Sequence, residues 1–272
     1  MKNYLLFLFY FLSIIYLHCQ VKVIDVEDPG SLSKLLGNEI NTITDLKIKG
    51  KINTSDLNTL NSMRKLSVLD LSHSSITDGI LPYKAFINNT VLKNIILPSN
   101  LTNISKEAFE YAYNISVDAS KCSQLKNIGE YAFNGVKGKV VLPDHLESLP
   151  YKSFANFNGT VSISKNLKTI GKEAFYNSSI NTLDLAHCSQ LKNIGEYAFN
   201  GVKGKVALPD HLESLPYKSF AYFNGTLVLP KNLKIIGQGA FYNSSINTLD
   251  LAHCSQLKNI EMYAFEGVKG KV

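Results

Sequence analysis

The side chains best suited to chemistry in this sequence are two histidine-cysteine pairs, His187-Cys188 and His253-Cys254, with Cys122 at the matching place 66 residues before Cys188. Imidazole and thiolate are metal ligands and nucleophiles, so such pairs raise a zinc site or a cysteine nucleophile. Their spacing speaks against both. The segment from Cys122 to His187 is repeated from Cys188 to His253 with nine differences in 66 positions, and it begins again at Cys254. If each repeat is three coils of a stack, equivalent residues lie about 14 Å apart at roughly 4.8 Å per strand. A disulfide needs Cα atoms within about 7 Å, and zinc needs ligands at about 2 Å. Cys122, Cys188 and Cys254 are therefore expected to be free and apart, each packed near the turn after a strand. His145 and His211 follow Pro143 and Pro209 and are expected as exposed loop residues.

An active site is a local, asymmetric constellation whose groups occur once. Nearly every polar group from Cys122 onward recurs after 66 residues, and the chain has no Gly-rich phosphate loop, catalytic carboxylate pair or Ser-His-Asp arrangement. The expectation is a protein that is not an enzyme and that uses no cofactor and no metal.

The elements that must position these residues follow from a shorter period. A small residue precedes Phe at Ala85-Phe86, Ala108-Phe109, Ala132-Phe133, Ser153-Phe154, Ala174-Phe175, Ala198-Phe199, Ser219-Phe220, Ala240-Phe241 and Ala264-Phe265, at intervals of 21 to 24 residues. That period falls in the range of leucine-rich repeats, in which one strand and one helical or irregular return make each coil. Each coil carries an apolar triplet, at residues 68–71, 95–97, 117–119, 140–142, 161–163, 183–185, 206–208, 227–229 and 249–251. Period-two alternation sends the outer residues of a triplet inward and the middle one outward. Leu183 and Leu185 should fill the core while Asp184 faces solvent. Leu191, Ile194 and Phe199 should complete the filling, with Gly195 or Gly201 at the turns. The prediction is an α/β repeat solenoid, with a parallel β-sheet on the concave face and short helical or irregular segments on the convex face.

The outward column along that sheet reads Asp70, Ile96, Asp118, Val141, Ser162, Asp184, Ala207, Val228 and Asp250. Thr160, Thr182, Thr226 and Thr248 flank it, with Lys139 and Lys205. Asp118, Asp184, Asp250, Thr182, Thr248, Lys139 and Lys205 are the candidate ligand-binding residues of a shallow surface that a protein or glycan could follow. Tolerated solvent-facing strand residues would look the same. Near-identical units also raise avidity through effective concentration, although recent duplication explains them equally well.

Charged residues are 18% and hydrophobic ones 45%, which excludes wholesale disorder. The net charge of +6 is mildly basic, and the lysines are spread at one or two per coil with no Arg-rich run, so nucleic acid is not the expected partner. Residues 1–20 place one Lys before an apolar run from Tyr4 to Leu17, too short for a comfortable membrane span and suited to a secretory signal peptide. Cys19 would also allow a lipid anchor, the only expected link to a membrane, although bulky His18 stands where such processing prefers a small residue. Residues 21–62 lack the small-Phe marker and read as an N-terminal cap with a first atypical repeat, including a strand-like Ile43 to Gly50 and a polar helix start at Thr54-Ser55-Asp56. Residues 63–272 read as the regular coils. The chain stops at Val272 where earlier copies continue into a strand, which reads as a truncation without a C-terminal cap. Nine N-x-S/T triplets, at Asn53, Asn88, Asn100, Asn103, Asn114, Asn158, Asn177, Asn224 and Asn243, are expected from an Asn- and Ser-rich composition.

The unit L-x-L-P-x-x-L-x-x-I-x-x-x-A-F, present as Leu227-Val228-Leu229-Pro230 through Leu233, Ile236 and Ala240-Phe241, resembles the BspA-like class of leucine-rich repeats. The opening Gly50 to Ser72 is similar to the start of such bacterial surface proteins. Ala119, and Asp144-His145 after Pro143, depart from the consensus without breaking the period. The resemblance implies an exported protein, secreted or held at the cell surface, that adheres to host matrix glycoproteins or other cells. Its partner would be an extracellular protein or glycoprotein. The alternative is a passive structural or antigenic surface array with no specific ligand.

Overall fold

The computed structural model describes residues 21–271. The signal-peptide and Cys19 expectations, and the one placed on Val272, lie outside the described residues.

The chain winds into a solenoid whose backbone is one 12-stranded parallel sheet with strands in sequence order. The strands are β1 (Lys22–Val26), β2 (Asp45–Ile52), β3 (Val68–Ile76), β4 (Asn94–Ile96), β5 (Ser116–Asp118), β6 (Lys137–Val141), β7 (Asn158–Ser162), β8 (Ser179–Asp184), β9 (Lys203–Ala207), β10 (Asn224–Val228), β11 (Ser245–Thr248) and β12 (Lys269–Lys271). Inward residues of the expected triplets, such as Leu69, Val117, Val140, Leu183, Leu185 and Val206, are buried, and their outward neighbours are not. Burial therefore follows the period-two reading.

The strands differ from the expected triplets at their starts. β6 and β9 begin at Lys137 and Lys203, three residues before the apolar triplet, because Lys137-Gly138 pairs in register with Asn158-Gly159 and Lys203-Gly204 with Asn224-Gly225. Glycine is what allows this. Gly204 sits at φ +128, and a Cβ there would lie 1.6 Å from the Ile180 carbonyl oxygen of the preceding strand. β8 gives its extra residue as a bulge at Asn181, beside Gly204, which accommodates part of the longer coil there.

The helical part of the α/β expectation is corrected. Among the described residues the α-helices are α1 (Leu32–Leu36) and α2 (Thr54–Ser62), with a 3₁₀ turn at Gly37–Asn41, all ahead of β3. The return of every regular coil is instead built from turns and two-residue strands, which form three small three-stranded sheets such as Ser148–Leu149, Thr169–Ile170 and Asn193–Ile194. The reason lies around the small-Phe pair. The residue two before each marker Phe, Lys84, Glu107, Tyr131, Lys152, Glu173, Tyr197, Lys218, Gly239 or Tyr263, has φ between 48° and 61°. The residue two after it is also left-handed, for example Asn88, Gly135, Asn177 and Tyr222. Two such residues per coil break any right-handed helix.

These left-handed residues are held by a ladder that alternation alone does not predict. At each junction three backbone N–H groups, two before the Phe, on it and two after it, donate to carbonyls of the next coil. Phe175 donates to Ala198, Glu173 to Glu196 and Asn177 to Asn200, at 2.8, 3.0 and 2.7 Å. The inner side of this ladder carries the nine marker phenylalanines, stacked from Phe86 to Phe265 with centroids 4.9 to 5.9 Å apart. Offset stacking adds about 0.5–1.5 kcal/mol per pair to the burial of the rings.

In residues 21–62, α2 starts at the N-cap Asn53, whose side chain accepts from Ser55 and Asp56 while the Asp56 carboxylate accepts from the Asn53 N–H. The buried Asp56 also takes the N–H groups of Gly30 and Leu32, at 2.7 and 2.9 Å, so one carboxylate fastens α1 to α2.

Candidate ligand-binding sheet face

The residues of β4 to β12 line up in rows set by strand register. Asp118 pairs with Val141 and Val141 with Ser162; Asp184 pairs with Ala207 and Ala207 with Val228. One pleat away, Lys139 pairs with Thr160, Thr182 with Lys205, Lys205 with Thr226, and Thr248 with Lys271. The structure therefore brings Thr182 and Lys205 side by side. The three aspartates stand apart, separated by the intervening strands. The ladder between β7 and β8 ends at Gly159 and Ile180, so the bulge interrupts the column between Ser162 and Asp184.

The aspartates carry a second task that the sequence reading missed. Asp118, Asp184 and Asp250 each accept the N–H of the residue two positions on, Ser120, Ala186 and Ala252, at 2.9, 3.0 and 2.8 Å. Asp70 does the same for Ser72 at 2.8 Å. These are Asx turns that close the strand end, and the pattern of Asp two residues before a small residue was the available signal. Asp70 also pairs with Lys47 on β2 at 3.0 Å. Burial pushes the Asp70 carboxyl up, but its bonds to Ser72 and the Lys47 ammonium outweigh that and hold it below the usual carboxylate range.

The lysines are less spread than their sequence spacing implied. Lys137, Lys139, Lys203, Lys205, Lys269 and Lys271 are all exposed on the same outward rows, in three pairs, and among the described residues no carboxylate lies within 4.0 Å of any of them. The register gathers them where the linear sequence does not show it.

The cysteine side chains lie away from these rows, whereas His253 Nε2 lies 3.2 Å from Asp250 Oδ2 in the aspartate column. Cys122, Cys188 and Cys254 are free and buried, each Sγ facing a carbonyl of the preceding coil, Pro98 at 3.3 Å, Ser164 at 3.5 Å and Pro230 at 3.5 Å. Burial, helped by the neighbouring aspartate, pushes the Cys122 thiol up to about 12 and the Cys188 thiol to about 11. Thiols held neutral in this way are poor nucleophiles. No cluster of three metal-ligating side chains occurs among the described residues. His145 and His211 are straps between coils, with Nε2 2.7 Å from the carbonyls of Leu125 and Leu191. No helix among the described residues is long and apolar enough to cross a membrane.

Two solved structures are similar in outline. A leucine rich cell surface protein from Faecalibacterium prausnitzii A2-165 is 15% identical, with a TM-score of 0.40 over 89% of this chain and 64% of that one. A leucine-rich repeat protein from Bacteroides ovatus ATCC 8483 is 16% identical, with a TM-score of 0.31 over 92% of this chain and 82% of that one. This chain thus spans less than two thirds of the first of these proteins. No curated protein matches the sequence. The model of the BspA type leucine rich repeat region matches in six copies, over residues 37–139, 126–222 and 203–270. With these six copies covering most of the chain, in step with the small-Phe period and the parallel sheet, the chain belongs to the BspA-type leucine-rich repeat family.

Proposed function

We propose that this chain is an exported or cell-surface binding protein whose sheet face engages an extracellular protein or glycoprotein, in the manner of an adhesin, without catalysis or cofactor. The observation that carries this reading is the outward face of β4 to β12, where register sets residues in rows across the strands, one of them polar throughout from Lys137 to Lys269. Such a face offers many weak contacts that repeat, and repetition converts weak contacts into avidity. The cell-surface protein among the similar structures is compatible with this location.

One observation favours the passive array as a second reading. The aspartates of the column already serve the fold, since each closes a turn. Replacing them by alanine would therefore confound binding with folding. Asparagine keeps the turn acceptor and removes only the charge.

The test is binding of the purified chain to immobilised matrix glycoproteins, with two variants beside it. The first is Asp118→Asn/Asp184→Asn/Asp250→Asn. The second is Thr182→Tyr/Thr226→Tyr, which crowds the sheet face with a residue strands accept well. Saturable binding that the tyrosine variant abolishes, in a chain with unchanged circular dichroism, supports the sheet-face reading. Absence of binding across the panel, or binding indifferent to the tyrosines, leaves the passive array.

A further inference from the structure

From the lysine rows we infer that the sheet face takes a linear acidic polysaccharide, laid across the strands with its acid groups on the lysine pairs and its hydroxyls on the polar residues between them. The assignment rests on the sheet-face reading above only in taking this face as the binding surface, and it adds a ligand class other than protein. Register makes the case. One row runs Lys137, Asn158, Ser179, Lys203, Asn224, Ser245, Lys269 without interruption. The next runs in paired segments, Lys139 beside Thr160, Thr182 beside Lys205 beside Thr226, and Thr248 beside Lys271. A lysine pair therefore recurs every third strand, about 14 Å apart, and two strands bearing only Ser, Thr or Asn in these rows fill each gap.

Charge distinguishes this border of the face from its neighbour. The six ammonium groups have no carboxylate within 4.0 Å among the described residues; in the return segments Lys106 is paired with Glu130, Lys168 with Glu147 and Lys172 with Glu196, while Lys126, Lys192 and Lys258 are also without an ion pair but stand singly rather than two to a strand. The aspartate column beside them is engaged in its Asx turns. A strip of cations that have no carboxylate partner among the described residues, at regular spacing, attracts an extended polyanion, and low ionic strength strengthens the attraction.

The intervals favour a saccharide over nucleic acid. Single-stranded nucleic acid is held by successive aromatic platforms under the bases, and neither lysine row contains an aromatic residue; one ring, that of Tyr113, lies 5.1 Å from Lys137 Nζ beside the rows. Hydroxyl and amide side chains in the gaps are donors and acceptors suited to sugar hydroxyls.

The experiment is affinity of the full chain, at about 50 mM salt, for heparin as a sulfated chain, polygalacturonate as a carboxylated one, dextran as a neutral one, and poly-glutamate and duplex DNA as other polyanions. Two triple variants remove equal charge at the same 66-residue period. Lys139→Gln/Lys205→Gln/Lys271→Gln lies on the sheet face; Lys126→Gln/Lys192→Gln/Lys258→Gln lies in the return segments. The expected result is salt-sensitive binding to one or both acidic polysaccharides, their ratio telling sulfate from carboxylate. It should weaken about tenfold in the sheet variant and less than about twofold in the return variant. Equal weakening in both variants, no acidic polysaccharide bound, or tighter binding to poly-glutamate or DNA overturns the inference. If the polysaccharides fail while glycoproteins still bind in a tyrosine-sensitive manner, this inference falls and the sheet-face reading stands; if both fail, both fall.

Discussion

The two 66-residue copies, Cys122 to His187 and Cys188 to His253, amount to one scaffold written twice, and their nine differences separate what the fold needs from what it tolerates. The marker phenylalanines, the strand glycines, the sheet-face lysines and Asp184 with Asp250 are identical. Two core differences, Val161 against Leu227 and Ile163 against Leu229, keep the apolar character. The polar surface is rewritten. Lys152 pairs with Glu173 at 3.2 Å, and Lys172 with Glu196 at 3.2 Å, but the matching Lys218 faces Gly239 and the place of Lys172 holds Gln238. The Asn156 amide donates to Asn134 at 3.0 Å, whereas its counterpart Tyr222 is 54% exposed and meets Tyr242 edge-on. Ser164 donates to the Asp144 carbonyl at 2.6 Å; with Pro230 in its place, Lys231 pairs with Asp210 at 2.8 Å instead. Left-handed backbone persists even where Glu173 becomes Gly239, with φ 55° and 60°. Surface ion pairs, worth about 0–1 kcal/mol each, are thus exchangeable, and the stacked rings with their backbone ladder define the coil.

That conclusion breaks if equivalent rings have unequal worth. Phe175 stacks between Phe154 and Phe199 at 5.5 and 5.7 Å, and Phe241 between Phe220 and Phe265 at 5.9 and 5.4 Å; both are fully buried. Phe175→Ala and Phe241→Ala should each cost about 4 kcal/mol in urea denaturation, within about 1 kcal/mol of one another. A much smaller loss for Phe241 would mean that the surface changes in the second copy have weakened its ladder. Glycine gives the next effect. A Cβ on Gly138 would lie 2.2 Å from the Ile115 carbonyl oxygen, and one on Gly204 1.6 Å from that of Ile180. Gly204→Ala should cost about 3 kcal/mol by combined backbone strain and overpacking, and Gly138→Ala somewhat less. Equal costs would show that the strands move apart freely and that the bulge at Asn181 does not fix their approach.

Much of this was legible in the sequence. The Ala-Phe period gave the coil, and alternation placed Leu183 and Leu185 inside with Asp184 outside. Three things were not legible, for distinct reasons. The turn ladder depends on left-handed residues such as Lys84, Tyr131 and Glu173, whose side chains give no hint of positive φ, since the backbone bonds that stabilise them come from the next coil. The early strand starts depend on Gly138 and Gly204, whose role shows only once the neighbouring carbonyl is in place. The lysine pairing across strands depends on register, which a count of lysines per coil cannot supply. Of the candidate site, the outward position of the aspartates and lysines followed from alternation, while the Asx turns on Asp118, Asp184 and Asp250 needed the chain path after the strand.

The smallest expected effect has the opposite sign. Seven of the nine marker pairs begin with Ala, and Ser153 and Ser219 take that slot at equivalent places in the two copies. Both hydroxyls are buried and neither has a hydrogen-bond partner among the described residues. A buried hydroxyl without a partner has lost its water bonds and gained nothing in return, which costs about 1–3 kcal/mol relative to a methyl group. Part of that is recovered by the larger atom filling space, so Ser153→Ala and Ser219→Ala should each stabilise the chain by about 1 kcal/mol. The two sites lie three coils apart, about 14 Å, so the double variant should give the sum of the single effects. Stabilisation at one site alone would show that the copies differ inside the core as well as on the surface. A loss at both would show that the hydroxyls hold a bond across the ladder, and that Ser is selected in this slot rather than tolerated.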